Sequence, residues 1–148
     1  MGYTTTFQGA LKFTKELTMP ELRHLQRVLG KDARSGLPAD AVKFIDKAWL
    51  LDYIDLKVAP GYDGVCWNGQ EKSYRMEYQV AFVLAYMRAT YPDFGLSGYM
   101  DAQGEDIDDR WQLVIQDGQP VVVQKSPKGR KVRCPHCETE FYIDDERT

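Results

Sequence analysis

From Tyr3 to Phe13 the chain alternates: Tyr3, Thr5, Phe7, Gly9, Leu11 and Phe13 fall on one side, and Thr4, Thr6, Gln8, Ala10 and Lys12 on the other. A period of two over this length predicts a strand with one buried face. The period then changes. Thr18-Met19-Pro20-Glu21 has the form of a capping box, with proline in the first turn where its missing N–H does no harm. Leu22, Leu25, Val28 and Leu29 follow at helical spacing and Gly30 is a natural stop. Residues 31–40 carry Gly36, Pro38 and several charges and read as loop, and Ala41, Phe44, Ile45 and Ala48 suggest a short helical stretch. Leu50, Ile54, Leu56 and Val58, set against Tyr53, Asp55 and Lys57, predict a second strand.

Pro60-Gly61 and Asp63-Gly64 mark a turn before a third strand at Val65-Cys66-Trp67, so the two strands are expected to form an antiparallel hairpin. The strongest helical signal runs from Ser73 to Tyr91, where Met76, Val80, Val83, Leu84 and Met87 make one apolar stripe and Pro92 ends it. Further strands are expected around Leu96–Met100, Trp111–Ile115 and Val121–Val123, the last two joined by an Asp117-Gly118 turn. The expected order is β-α-β-β-α-β-β-β in an α+β fold, with an antiparallel sheet and two main helices on one face. Its first six elements follow the ferredoxin-like order. Residues 1–124 form this α+β domain, 125–131 a basic linker, and 132–148 a tail.

Composition narrows the class without naming a function. The 148 residues are 43% hydrophobic and 28% charged, as in ordinary globular domains. A net charge of −3 argues neither for a nucleic-acid polymer nor for its mimic. No apolar run approaches the roughly 18 residues of a membrane span, and the N-terminus lacks the pattern of a secretory signal. The three cysteines, two of them in one Cys-x-x-Cys, fit a reducing compartment. A cytoplasmic protein with no membrane contact is therefore expected.

The tail reads Val132-Arg133-Cys134-Pro135-His136-Cys137, then Phe141-Tyr142-Ile143, and resembles one knuckle of a zinc ribbon. Two residues between the cysteines let a turn aim both thiolates at one tetrahedral Zn²⁺. A ribbon has a second Cys-x-x-Cys and this chain has none, so three completions stand open. Cys66 with His24 or His136 could add ligands within the chain; two chains could share a four-cysteine site as a homodimer; or the pair could hold no metal. Taken alone, Cys66 beside Trp67 reads as a small core residue. A thioredoxin-like use of Cys-Pro-His-Cys needs a fold around it that the remaining residues cannot supply.

Two charged stretches could meet a partner. Glu105, Asp106, Asp108 and Asp109 form an acidic loop that reads as solvated, as a contact for a basic partner, or as a Mg²⁺ or Ca²⁺ cluster. Lys125, Lys128, Arg130, Lys131 and Arg133 read as a solubilising linker or as phosphate contacts for nucleic acid. His24 falls near the face opposite the apolar stripe of its helix and is expected to be solvated. No nucleophile elbow, phosphate-binding loop, dinucleotide fingerprint or His-Glu-x-x-His is present, so no residue is assigned a catalytic role.

The opening Gly-Tyr-Thr-Thr-Thr-Phe-Gln-Gly strand, and the run from Gly98 through Gly104-Glu105-Asp106 to Arg110-Trp111-Gln112-Leu113, resemble small proteins of bacteriophages and prophage-bearing bacteria. The resemblance spans most of residues 1–117 and implies a context, not an activity: an accessory protein that binds and inhibits a host protein, defence systems included. The first expectation is thus a non-enzymatic interaction protein with a host partner. A zinc-knuckle nucleic-acid-binding module is the alternative, and a small metal-dependent hydrolase or nuclease the third.

Overall fold

A glycine bends the opening strand. In the computed structural model, which describes residues 4–45, 51–70, 73–125, 130–133 and 140–143 (the last two stretches as backbone), it divides into β1 (Thr6–Gln8) and β2 (Ala10–Phe13). Gly9 between them has φ +92, and a Cβ there would stand 3.3 Å from the Tyr99 carbonyl oxygen. Both segments pair antiparallel with β5 (Leu96–Gln103) in one continuous register, Phe7 opposite Ala102 and Leu11 opposite Gly98. The bend therefore changes direction without slipping the strand, and Phe7 and Leu11 stay on the buried face. Only β2 also pairs with β4 (Gly64–Trp67), so β1 and β4 diverge at this point.

Among the described residues the second strand is shorter than expected; Leu50, like Ala48 of the helical stretch expected before it, lies outside them. β3 covers Leu56–Val58 and forms the expected hairpin with β4. The preceding residues spend their backbone groups on the loop after the first helix. Ile54 N–H donates to the Lys31 carbonyl, and Gly30 and Ala33 N–H donate to Ile54 and Asp52. Ile54 and Leu56 are buried as expected, but Asp55, expected on the polar side, is buried with them, and the hydrogen-bond partner of this stretch is a loop rather than a strand.

Three helices are described: α1 (Met19–Gln26), α2 (Ala39–Val42) and α3 (Met76–Thr90). The Thr18–Glu21 capping box closes in both directions. The expected stripe of α3 is buried in full, joined by Gln79, Phe82 and Tyr86. β6 (Arg110–Gln116) and β7 (Gln119–Lys125) are joined by Asp117-Gly118, both at positive φ, as a type I′ hairpin turn requires. The antiparallel sheet runs β3-β4-β2-β5-β6-β7 with β1 alongside β5, and β8 (Arg130–Arg133) and β9 (Glu140–Ile143) form a separate pair.

One face of the sheet contributes Leu11, Leu56, Val65, Leu96, Met100, Ala102 and Leu113 to a single core with Leu25 of α1 and the stripe of α3. Phe7 sits edge-on to Trp67 and Trp111, 5.8 and 5.5 Å between ring centroids. Gln79 carries the polar load of this core. Its Oε1 accepts from Asp55 N–H at 2.7 Å, and its Nε2 donates to the Tyr74 carbonyl at 2.8 Å and more distantly to Asp55 Oδ2. By the register, the other face carries Thr6, Gln8, Lys12, Lys57, Tyr99, Asp101, Arg110, Gln112 and Lys125, and most of it is exposed.

Two expectations test this packing. A Cβ on Gly64 would fall on the Leu11 carbonyl, which is backbone and cannot swing aside. Gly64→Ala should therefore destabilise by about 3 kcal/mol or more in chemical denaturation. Asp55 is 4% exposed, and burial raises its carboxyl pKa above the ordinary value. The folded state then favours the protonated acid, and the cost of ionising it grows as pH rises through that raised value. Asp55→Asn should accordingly gain stability relative to wild type at neutral pH. The gain should shrink as pH falls through the raised value, as followed by thermal unfolding across the acid range.

Candidate functional site

Of the residues that a metal site would have to gather, the structure describes His24 and Cys66, and it places them apart. Cys134, His136, Cys137 and Lys128 lie outside the described residues. Arg130, Lys131 and Arg133 belong to β8, with Arg130 opposite Ile143 and Arg133 opposite Glu140 of β9. Cys66 is a free thiol, half-buried, and sits on the open face of β4 opposite Ala10 and Lys57 rather than in the core. The expectation of a core cysteine fails because the register turns Val65 and Trp67 inward and Cys66 outward.

His24 also departs from expectation. Its ring stacks on Tyr86 at 4.4 Å and meets Tyr91 edge-on. Nδ1 lies 3.3 Å from the Tyr86 hydroxyl, which accepts from Arg27 Nη1 at 2.9 Å, and Arg27 in turn clamps Asp40 through two bonds of 3.1 Å. Nε2 is buried with no partner. Burial, aided by the Arg27 charge, holds His24 below the ordinary imidazole pKa. Tyr86 is buried, so the stacked rings lock α1 to α3, while the Arg27–Asp40 pair closes the cluster at the surface. His24 packs in the helical layer behind the sheet and Cys66 faces the other way, so these two do not share an ion. Among the described residues no group of three or more His, Cys, Asp or Glu side chains converges on a cation site.

The acidic loop is braced rather than loose. Gln103 Nε2 lies 2.9–3.3 Å from the carbonyls of Gly104, Asp106 and Asp109. Gly104 N–H closes the loop onto Asp109, and Glu105 Oε1 accepts from Thr4 N–H at 2.7 Å. The four acids do not converge; they flank Ile107, which is 72% exposed.

At the other end of β5 lies a surface that the sequence announced only as turn punctuation. Phe13, Leu17, Met19, Leu22 and Tyr62 line a groove of about 750 Å³, with Lys15, Glu16 and Asp63 also at its walls. Met19 is 58% and Tyr62 68% exposed. Tyr62 has φ +57, a left-handed conformation that costs a bulky residue about 1–2 kcal/mol. The surroundings hold it there. Its N–H donates to Ala59, Phe13 N–H donates to the Asp63 carbonyl, and the Asp63 carboxylate binds Lys12 at 2.8 Å. Lys15 is tied to Asp93 and Glu21 at 2.7 and 3.1 Å. Glu16 is exposed and forms no ion pair among the described residues.

No protein-family model, no curated protein and no solved structure matches the chain. No helix among the described residues is long and apolar enough to cross a membrane.

Two measurements check the acidic loop and the His24 cluster. Gln103→Ala should speed amide hydrogen exchange across residues 104–109 and cost about 1–2 kcal/mol of stability, leaving the amides of α3 protected. Because His24 is held neutral, its contribution to stability is present above its ordinary value of 6.5 and is lost as pH falls through its lowered value. The unfolding temperature should thus drop between neutral and mildly acidic pH, and His24→Phe should flatten that part of the profile.

Proposed function

We propose that this chain is a non-enzymatic interaction protein whose first contact surface is the Met19–Tyr62 groove. The observation that carries the reading is Tyr62 itself. A large aromatic side chain is held in a strained backbone conformation and left mostly in water. With 68% of the residue exposed, little packing offsets that strain, and glycine would occupy the same turn at lower backbone cost. Strain at an exposed position is shared by Arg75 and Asp117, but only at Tyr62 does it hold a large aromatic ring at the wall of an apolar groove, and Tyr beside Met over an apolar floor suits the centre of a protein interface.

The occupant is an apolar side chain of a partner protein flanked by a cation. The groove has the volume to take apolar side chains of a partner, and Glu16 leaves a carboxylate at its rim to meet the charge. The acidic loop favours the same partner chemistry from roughly 23 Å away, at the opposite end of β5, with Ile107 as its apolar knob. The resemblance to small phage proteins gives the partner class, a host protein that the chain would bind and inhibit. We take the β3-β4-β2-β5 half of the sheet with α1 and α3 as a ferredoxin-like unit extended by β6 and β7, and such a unit names no activity. Zinc shared by Cys134 and Cys137 of two chains would make the binding unit a dimer.

The test separates binding from folding. Tyr62→Gly should leave stability unchanged or raise it by up to about 1 kcal/mol. It should also weaken, roughly tenfold or more, the capture of a host protein that the immobilised wild type retains. A destabilised Tyr62→Gly would mean that the ring has a structural role. Undiminished capture by a stable Tyr62→Gly and Met19→Ser pair would remove the groove from the interface.

A further inference from the structure

On the open face of the sheet, where β1, β5, β6 and β7 lie side by side, Thr6, Gln8, Asp101, Gln103, Arg110, Gln112 and Lys125 line a second groove of about 610 Å³. Cross-strand pairing sets these side chains in two rows. One runs Thr6, Gln103, Arg110, Lys125 and the next runs Gln8, Asp101, Gln112, Val123. Arg110 and Lys125 are thus direct cross-strand neighbours of like charge, an arrangement that repels. Neither has an ion pair or a side-chain hydrogen bond among the described residues. The one acid of the groove, Asp101, is engaged by Gln112 Nε2 at 2.8 Å, and the register sets it on the neighbouring row, opposite Gln112 rather than Arg110.

We propose that this groove binds the phosphate monoester of a small polar molecule, with Arg110 and Lys125 holding the phosphate. An anion between the two cations removes their repulsion, and the guanidinium fork with the ammonium supplies the directed donors that a phosphate's several oxygens accept. The neighbouring row supplies a carboxylate and two carboxamides, Asp101, Gln8 and Gln112, which match hydroxyl or amide groups on the body of the ligand. Two features limit the ligand to a small one. The volume is that of a small-molecule pocket, and the acidic loop begins where the groove ends, at Gln103 and Arg110, so a longer polyanion would run into four carboxylates. A nucleoside monophosphate and a sugar phosphate share this chemistry. The site lies on the open face of the sheet and away from the Met19–Tyr62 groove, so it stands or falls independently of the interaction reading.

The experiment is a backbone-amide NMR titration of the full chain with inorganic phosphate at constant ionic strength, then with adenosine monophosphate and with glucose 6-phosphate. Phosphate should shift the amides of residues 103, 110–112 and 123–125. At least one of the two esters should bind roughly tenfold more tightly than phosphate, and which one does so identifies the source. Arg110→Gln and Lys125→Gln should each weaken binding about tenfold or more, while Lys57→Gln, on the same face of the sheet outside the groove, should not. Both substituted side chains are exposed and unpartnered, so the variants should fold with unchanged or higher unfolding temperature, which a thermal melt checks. Equal shifts in wild type and the Arg110→Gln variant, shifts confined to another basic patch such as Arg23 and Lys31, or esters no tighter than phosphate would each overturn the proposal.

Discussion

β2 is bonded on both sides, to β4 through Leu11 opposite Val65 and to β5 through Leu11 opposite Gly98. Leu11 is fully buried at the crossing of those two ladders. The approach to β4 is so close that only a glycine fits at position 64, and the bend at Gly9 is what frees β1 from β4 immediately before it. Everything else hangs on this strand. Its inward Leu11 belongs to the same core as Leu25 of α1 and the stripe of α3, and its far end, Phe13, lines the Met19–Tyr62 groove. Its near end delivers β1 to β5 and so builds one wall of the open-face groove.

Much of this was legible in the pattern of residues, and the exceptions share a cause. The stripe of α3, the Thr18–Glu21 capping box and the Asp117-Gly118 turn depend on interactions within a few residues of chain, which is the range over which periodicity and turn chemistry speak. The limits of the second strand, the stacking of His24 on Tyr86 and the outward facing of Cys66 are set by partners dozens of residues away. Gly9 is a different case. A glycine at a buried-face position leaves the alternation intact, and with the register preserved on both sides the bend makes no mark on the hydrophobic pattern.

The candidate sites were harder to read than the fold. The acidic loop was visible as composition, but its bracing by Gln103 and the exposure of Ile107 were not, because both depend on how the loop closes on itself. The knuckle cysteines, Cys134 and Cys137, were singled out by spacing and lie outside the described residues. Neither groove was signalled by a motif. Arg110 and Lys125 are separated by a whole hairpin, and only the β6–β7 register makes them neighbours. Tyr62 sat unremarked inside a Pro-Gly…Asp-Gly turn, where any residue would have seemed acceptable.

The proposed binding surface is prebuilt: the turn itself holds Tyr62 at φ +57 with no partner present. The direct measurement is the intraresidue amide-to-Hα nuclear Overhauser effect of Tyr62 in the isolated chain in solution. A left-handed φ brings these two protons close, so the account predicts an effect clearly stronger than that of neighbouring residues at ordinary negative φ. An effect no stronger than theirs would mean that Tyr62 relaxes to a common conformation, and that the groove is not presented in advance.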